Sequence, residues 1–380
     1  MHSDSIHVVI CGGGVAALEG ALRLRSLAED RVEVTLLAPN EQFIYRPLAV
    51  REAVAFGSSR RYPLGDIARD LEADWVQDTL AAVDCSRRNV RTGQGRELRY
   101  DALLVAVGGR LAADLDHVLT FRDAEARQLY DHVLEALEDE HARSAAFIMP
   151  QGPAYPLPVY ELALMTAERA RRAGVEGVEL YLVTPEPLPL AAFGATAGAV
   201  VGRLLVEAGV KLFTSASAFV PGPRALIIQP QGAELAPDRI VAMPRVEAPE
   251  LPGLPTASPY GFIPIDSRCA VPGTDGRVFA AGDATDYPIK HGGVGAQQAD
   301  TAAAEIARLA GAGVERTRFW PEMRGKLLTG GKPLYLRARL VGDQGFDSEV
   351  FDDPPWPVDA KILAADLGPY LEELDNSPQS

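Results

Sequence analysis

An aspartate placed behind a glycine at the end of a buried strand is suited to holding hydroxyl groups. The chain offers one: Val278 to Ala281 is a short apolar run, and Gly282-Asp283 follows it. Gly282 lets the backbone approach a ligand with no Cβ in the way, and Asp283 can accept hydrogen bonds from sugar-like hydroxyls. After a turn-forming segment, Asp286 to Gly293, an Ala-rich helical run starts near Val294. Its beginning at Gly292-Gly293 offers free N–H groups and the positive end of a helix dipole, which suits an anion. Any strand-to-helix turn in an α/β protein shares these features, so the pattern gains weight only from a second site near the start of the chain. There Ile6 to Ile10 is a strand, Cys11-Gly12-Gly13-Gly14-Val15-Ala16-Ala17 follows, and Leu18 to Leu27 is helical in pattern. With Arg31 to Leu37 as the next strand, this is a βαβ unit carrying G-x-G-x-x-A. Gly12 permits the tight turn, Gly14 lets a pyrophosphate approach the backbone, and Ala17 lets helix and strand pack closely. The acid expected after the second strand is replaced by Ala38, which leaves Asn40 or Glu41 to hold a ribose.

The rest of the chain must position these residues, and its composition limits the partners. At 380 residues it can build two or three domains with a sizeable core. Its formal net charge of −15 argues against nucleic acid and against broad adhesion to anionic lipid. Cys11, Cys85 and Cys269 are odd in number and widely spaced, which suits neither a disulfide framework nor a zinc cluster. A cytoplasmic location is the expectation. The first ten residues lack the pattern of a signal peptide, and no uncharged apolar run is long enough for a transmembrane segment.

In the first half, Trp75 to Val83 reads as a strand, and Leu98 to Val107 as another that runs into Gly108-Gly109. A second strand–helix–strand unit follows: Ala145 to Met149, Val159 to Ala173 and Val178 to Val183. Its turn, Pro150 to Pro158, holds one glycine and four prolines. Each proline removes an N–H that could cradle phosphate, so a dinucleotide would find few donors here. Glu161 opens the helix of this unit and reads either as a proton acceptor or as an acid stabilised by the helix dipole. Ala191 to Ala208 reads as helix. Val210 to Phe213, Ala225 to Gln229 and Asp238 to Met243 read as strands, and Pro249 to Tyr260 as a crossing back to the first unit.

The G-x-G-x-x-A start, the A-x-G-G turn at Ala106 to Gly109 and the late Ala281-Gly282-Asp283 resemble the FAD-dependent pyridine nucleotide-disulfide oxidoreductase superfamily. The segment Phe43-Ile44-Tyr45-Arg46-Pro47 is most similar to the branch of sulfide:quinone oxidoreductases, flavocytochrome c sulfide dehydrogenases and type II NADH dehydrogenases. The resemblance implies an α/β fold of two Rossmann-like, three-layer ββα domains of the glutathione reductase type plus a small C-terminal region. The FAD domain would comprise residues 1–115 and 262–312, the second domain, lacking the NAD fingerprint, 116–261, and the C-terminal region 313–380. The cofactor implied is FAD. Gly12 and Gly14 would lie against its pyrophosphate, Val76 would meet the adenine through its backbone, and Asp283 would bind the ribityl or phosphate region. Arg46 and Pro47 would lie near the isoalloxazine, and Ala106 and Gly108 would also contact the cofactor. Gly282, Gly292 and Gly293 would let N–H groups come close, Lys290 would add a positive charge at the ring's N1 edge, and Glu161 would lie on the donor face. His291 could contribute when protonated.

The sulfide:quinone enzymes use a redox cysteine pair beside the flavin, and neither Cys85 nor Cys269 stands at a matching place. The expected activity is therefore transfer of electrons from a small-molecule donor through FAD to a quinone or other acceptor, without a dithiol relay. Two other readings stay open: a non-catalytic flavin-binding redox sensor or partner-binding protein, and an NAD(P)H:quinone reductase with atypical dinucleotide binding. The C-terminal part mixes Phe319, Trp320, Leu327, Leu328, Tyr335 and Leu336 with basic residues. That suits peripheral membrane contact, or an interface that covers the flavin or joins subunits of a homo-oligomer. Asp359 to Leu374 is helical in pattern, and Asn376 to Ser380 reads as a frayed tail.

Overall fold

The computed structural model describes residues 5–54, 59–122, 126–139, 141–257, 259–340, 346–357 and 361–376. The apolar runs of the first unit form a five-stranded parallel sheet, in the order Val278–Ala280, Ala102–Val105, Ile6–Cys11, Val32–Leu37 and Asp74–Val76. Alternation along the central strand divides the core, as the two-residue period of a strand requires. Val8 and Ile10 pack with the helices Val15–Ala28 and Gly292–Leu309, whereas Val9 and Cys11 pack with Val83, Val90 and Leu98. The last three belong to an antiparallel meander, Leu80–Asp84, Asn89–Thr92 and Glu97–Arg99. Helices, sheet and meander make three layers. Ala17 is fully buried in the helix layer, and a Cβ on Gly20 would stand 2.6 Å from Leu104, so small residues do allow the helix to sit close to the sheet.

The second sheet repeats the plan. Leu119–Thr120, Arg239–Ala242, Ser144–Ile148, Glu179–Val183 and Val210–Phe213 are parallel neighbours in that order. A meander of Ser217–Gly222, Ala225–Gln229 and Ala233–Leu235 covers one face. The helices Pro156–Arg172 and Gly194–Glu207 cover the other.

Several elements differ from the sequence reading. Trp75 to Val83 is two strands, because Asp78 turns the chain out of the parallel sheet: its carboxylate accepts the N–H groups of Thr79 at 2.7 Å and Gln94 at 3.1 Å. Leu98 to Val107 is likewise divided, with Asp101 at the break accepting the His7 N–H at 2.9 Å. The helix placed at Val159 starts at Pro156, since proline in a first turn gives up no helical hydrogen bond. Ala191 to Ala208 begins as a 3-10 turn, Ala191–Phe193, before the α-helix Gly194–Glu207. The C-terminal helix is Leu367–Asn376. Residues 359–360, where that helix was expected to begin, and the tail residues 377–380 lie outside the described residues, as do residues 55–58.

The C-terminal part forms an antiparallel sheet, Glu322–Leu327, Leu334–Leu340 and Phe346–Phe351. Met323, Leu327, Leu336 and Ala338 pack with Leu157 and Phe193 of the second domain. Leu327, Tyr335 and Leu336 are thus buried within the molecule, and of the apolar residues offered as an interfacial patch Trp320 is the large exposed one, at 63%. No described helix is long and apolar enough to cross a membrane. The Leu367–Asn376 helix lies on the first helix, where the buried Glu19 carboxylate accepts the N–H groups of Ala365, Asp366 and Leu367.

Candidate active site

A cavity of about 570 Å³ opens at the carboxyl ends of the first sheet's strands, the usual ligand position in open α/β sheets. Gly12, Gly13 and Gly14 line it beyond the first strand, and Ala106, Gly108 and Gly109 beyond a neighbouring one. Gly12 has φ +132°, and a Cβ there would stand 2.1 Å from the Ala106 carbonyl oxygen. The ends of two parallel neighbouring strands come so close here that only a hydrogen fits. At Gly14 a Cβ would meet nothing within 4 Å, so this glycine faces open cavity at the N-terminus of the first helix. The first-turn N–H groups of that helix have no partner within it, which leaves a cradle for phosphate.

Pro39 and Asn40 line the cavity past the second strand. Val76 does not: its carbonyl accepts the N–H groups of Ala38 at 3.1 Å and Asp78 at 3.0 Å, and its side chain packs with the meander core. Thr79 and Leu80 form the wall there instead. Arg46 lines the cavity. Pro47 stands in the 3-10 turn Arg46–Leu48, and its side chain lies outside the described residues.

Gly282 adopts φ +80° and brings Asp283 to the cavity wall. The Tyr155 hydroxyl, from the second domain, donates to Asp283 at 2.6 Å. Burial pushes the Asp283 carboxyl up, against that hydrogen bond and the charges of Lys290 and Arg46. Gln298, fully buried in the last long helix, holds the turn by accepting the Gly282 N–H at 2.7 Å and reaching the Thr285 hydroxyl at 3.3 Å.

Lys290 is buried and lines the same cavity. Its ammonium donates to the Thr285 carbonyl at 2.6 Å and lies 3.6 Å from the centre of the Phe262 ring. Burial lowers its pKa to about 8, with Asp283 and Asp286 acting against the fall. His291 is not the auxiliary cation expected of it. Its Nδ1 accepts the Gly293 N–H at 3.1 Å and so caps the helix, while burial and the Lys361 charge lower its pKa to about 4. For the same reason Gly293 does not offer its N–H to the cavity. Gly292 and Gly295 line it, and Gly292 is held to hydrogen by contact with Ile362, 2.3 Å from where a Cβ would stand.

Glu161 is fully buried and stands behind the wall, not on it. Its carboxylate accepts from the Leu328 N–H at 2.9 Å and from the Lys361 ammonium at 2.6 Å. Lys361 is the residue that lines the cavity. Burial drives the carboxyl up and the ammonium down, so the proton between them is shared more evenly than in a solvated pair. From the second domain, Tyr155, Pro156, Leu157 and Pro158 also reach the cavity. Pro156 and Pro158 occupy the first helical turn, where a dinucleotide phosphate would seek N–H groups. The three cysteines are free, Cys11 and Cys269 buried. Burial pushes all three thiols up, and none lines the cavity among the described residues.

This set fits flavin adenine dinucleotide: a glycine cradle open to phosphate, a carboxylate for hydroxyls, and the cationic side chains of Arg46, Lys290 and Lys361 on the wall of one cavity. Tyr155, Gln298 and Lys361 were missed from sequence. Tyr155 sits in a turn that drew notice only for its prolines, and nothing local distinguishes Lys361.

Residues 6–134 match the pyridine nucleotide-disulphide oxidoreductase family. The chain is 23% identical over 300 residues to a sulfide-quinone reductase of Aquifex aeolicus, covering 74% of this chain and 69% of that one. It is 27% identical over 294 residues to an NADH dehydrogenase-like protein of Mycobacterium tuberculosis, covering 73% and 72%. The crystal structure of the sulfide:quinone oxidoreductase from Aquifex aeolicus superposes with a TM-score of 0.80 at 18% identity, covering 92% of this chain and 87% of the other.

Proposed function

We propose an FAD-dependent oxidoreductase that moves electrons from a small-molecule donor to a quinone or comparable small acceptor, on the match of residues 6–134 to the pyridine nucleotide-disulphide oxidoreductase family and the fold shared with a sulfide:quinone oxidoreductase. It does so without a dithiol pair and without NAD(P)H. When bound, FAD supplies the two-electron chemistry. The chain's own residues bind it, orient it and set the charge around it. Gly14 and the first-turn N–H groups hold phosphate, and Asp283 holds hydroxyls. Lys290 supplies fixed positive potential at the cavity wall. Lys361 presents a proton there, backed by Glu161.

The observation that carries the reading is Lys361 on the wall of the glycine-cradled cavity, paired at 2.6 Å with Glu161 behind it. A proton held between two opposed pKa shifts is available to a reacting group at moderate cost. The proline-filled turn, and the lack of any cysteine on the cavity wall among the described residues, support a donor side without dinucleotide or dithiol.

The test is anaerobic photometry of the yellow holoprotein. Sulfide, low-molecular-weight thiols and NADH are added separately, and a short-chain quinone is then mixed with any reduced sample. Bleaching by a donor other than NADH, followed by reoxidation on adding quinone, supports the proposal. Fast bleaching by NADH alone would favour an atypical NAD(P)H:quinone reductase. Flavin that no donor bleaches would favour a non-catalytic flavin-binding protein.

A further inference from the structure

Lys361 and Ile362 wall a second cavity as well, of about 380 Å³, on their other side. Among the described residues around it, Arg51, Arg60, Lys326 and Lys361 are cationic, and Glu372 and Asp375 are anionic. The cations come from separate places: the helix Ala49–Glu52, the residue before strand Arg61–Pro63, the strand Glu322–Leu327 and the C-terminal segment. On a chain with a net charge of −15, such a cationic excess stands apart. Asp375 is already engaged by Arg60 and by the Tyr62 hydroxyl, and Lys361 is paired with Glu161 at 2.6 Å. Arg51 and Lys326 also hold contacts within the protein, yet their charges reach Lys361 and disfavour its ammonium. Beside them the wall carries the apolar side chains of Leu328, Ile362 and Leu371, with Tyr45, Tyr62 and Asn376 adding polar groups.

Convergent charged groups beside an apolar wall are the make-up of a ligand pocket. An anion entering would relieve the repulsion among the cations. A neutral apolar guest would cost their hydration and return nothing for it. We propose that this second cavity binds a small organic anion, its carboxylate-type head among Arg51, Lys326 and Lys361 and its apolar body on Leu328, Ile362 and Leu371. Because Lys361 also walls the first cavity, an occupant favours the protonated ammonium there and links the two sites. That link rests on the flavin reading; the binding itself does not.

The test is calorimetric titration of the FAD-loaded protein with hexanoate, with hexan-1-ol as the uncharged analogue, and with a short-chain quinone. Hexanoate should bind at least tenfold more tightly than hexanol, about 1.4 kcal/mol, and less tightly as salt rises. In the Arg51→Gln, Lys326→Gln double variant hexanoate affinity should fall about tenfold while hexanol is unaffected. If that variant loses its cooperative melting transition, Lys326→Met alone carries the test. Hexanol or the quinone binding as tightly as hexanoate would overturn the proposal, and so would the absence of hexanoate binding. The readout is heat, not turnover, so failure here leaves the electron-transfer reading standing. Failure of every donor to bleach the flavin would leave this site standing.

Discussion

Replacing Lys290 with methionine should lower the flavin midpoint potential. Methionine fills most of the lysine stem's volume but removes the ammonium, with its charge, its hydrogen bond to the Thr285 carbonyl and its seat on the Phe262 ring. Two-electron reduction places one negative charge on the ring at neutral pH, and a buried ammonium on the wall stabilises it. At an effective dielectric of about 20 and a separation of roughly 6–10 Å, one such pair is worth about 1.7–2.8 kcal/mol. With about 30 mV per 1.4 kcal/mol for a two-electron couple, that is roughly 35–60 mV. The Asp283 carboxylate is present in both proteins and cancels in the comparison, so a fall of about 35–60 mV is the expectation. The pH dependence carries a second signature. Burial lowers the Lys290 pKa to about 8, so below that pH the cation is present and the difference between the proteins is full. Reduction adds negative charge nearby and raises the lysine pKa. Between the two values reduction takes up one more proton, and the wild-type potential falls more steeply, by about 30 mV per pH unit. The variant lacks this extra slope. Spectroelectrochemical titration of both proteins from pH 6 to 10 is the assay. Parallel curves with coincident midpoints, in a variant with full FAD occupancy, would refute the placement of Lys290 beside the ring.

Asp283→Ala should weaken FAD binding by about 1–3 kcal/mol, read as flavin lost on dialysis; full retention would remove Asp283 from the site. Tyr155→Phe deletes the hydrogen bond that favours the Asp283 carboxylate. Its carboxyl then protonates at higher pH, and the loss of FAD on acidification should begin earlier than in the parent; identical profiles would count against it. Stopped-flow mixing with micromolar NADH should show flavin reduction far slower than about 10 per second, and a faster phase would mean that the proline-filled turn binds dinucleotide after all. Replacing Cys85 and Cys269 with serine should leave donor-driven reduction intact, and a double variant that binds FAD but cannot be reduced would restore a dithiol relay.

What the amino-acid sequence determined by itself is what neighbouring residues settle among themselves. The turn from Cys11 to Ala17 depends on glycine at Gly12, whose φ of +132° side chains rarely adopt, and on an unobstructed Gly14. The Gly282-Asp283 turn is equally local, and so is the shortage of N–H groups where Pro156 and Pro158 begin a helix. Each is legible because strand, turn and helix follow one another within about twenty residues. Only the tertiary structure decided what depends on distant chain segments. Glu161 and Lys361 are 200 positions apart, and Tyr155 and Asp283 are 128 apart; no local pattern pairs them. Burial decided the rest. It turned His291 from a candidate cation into a neutral helix cap and lowered the pKa of Lys290. A side chain's proton affinity follows from the solvent and charges that folding leaves around it, and those are properties of the packed molecule.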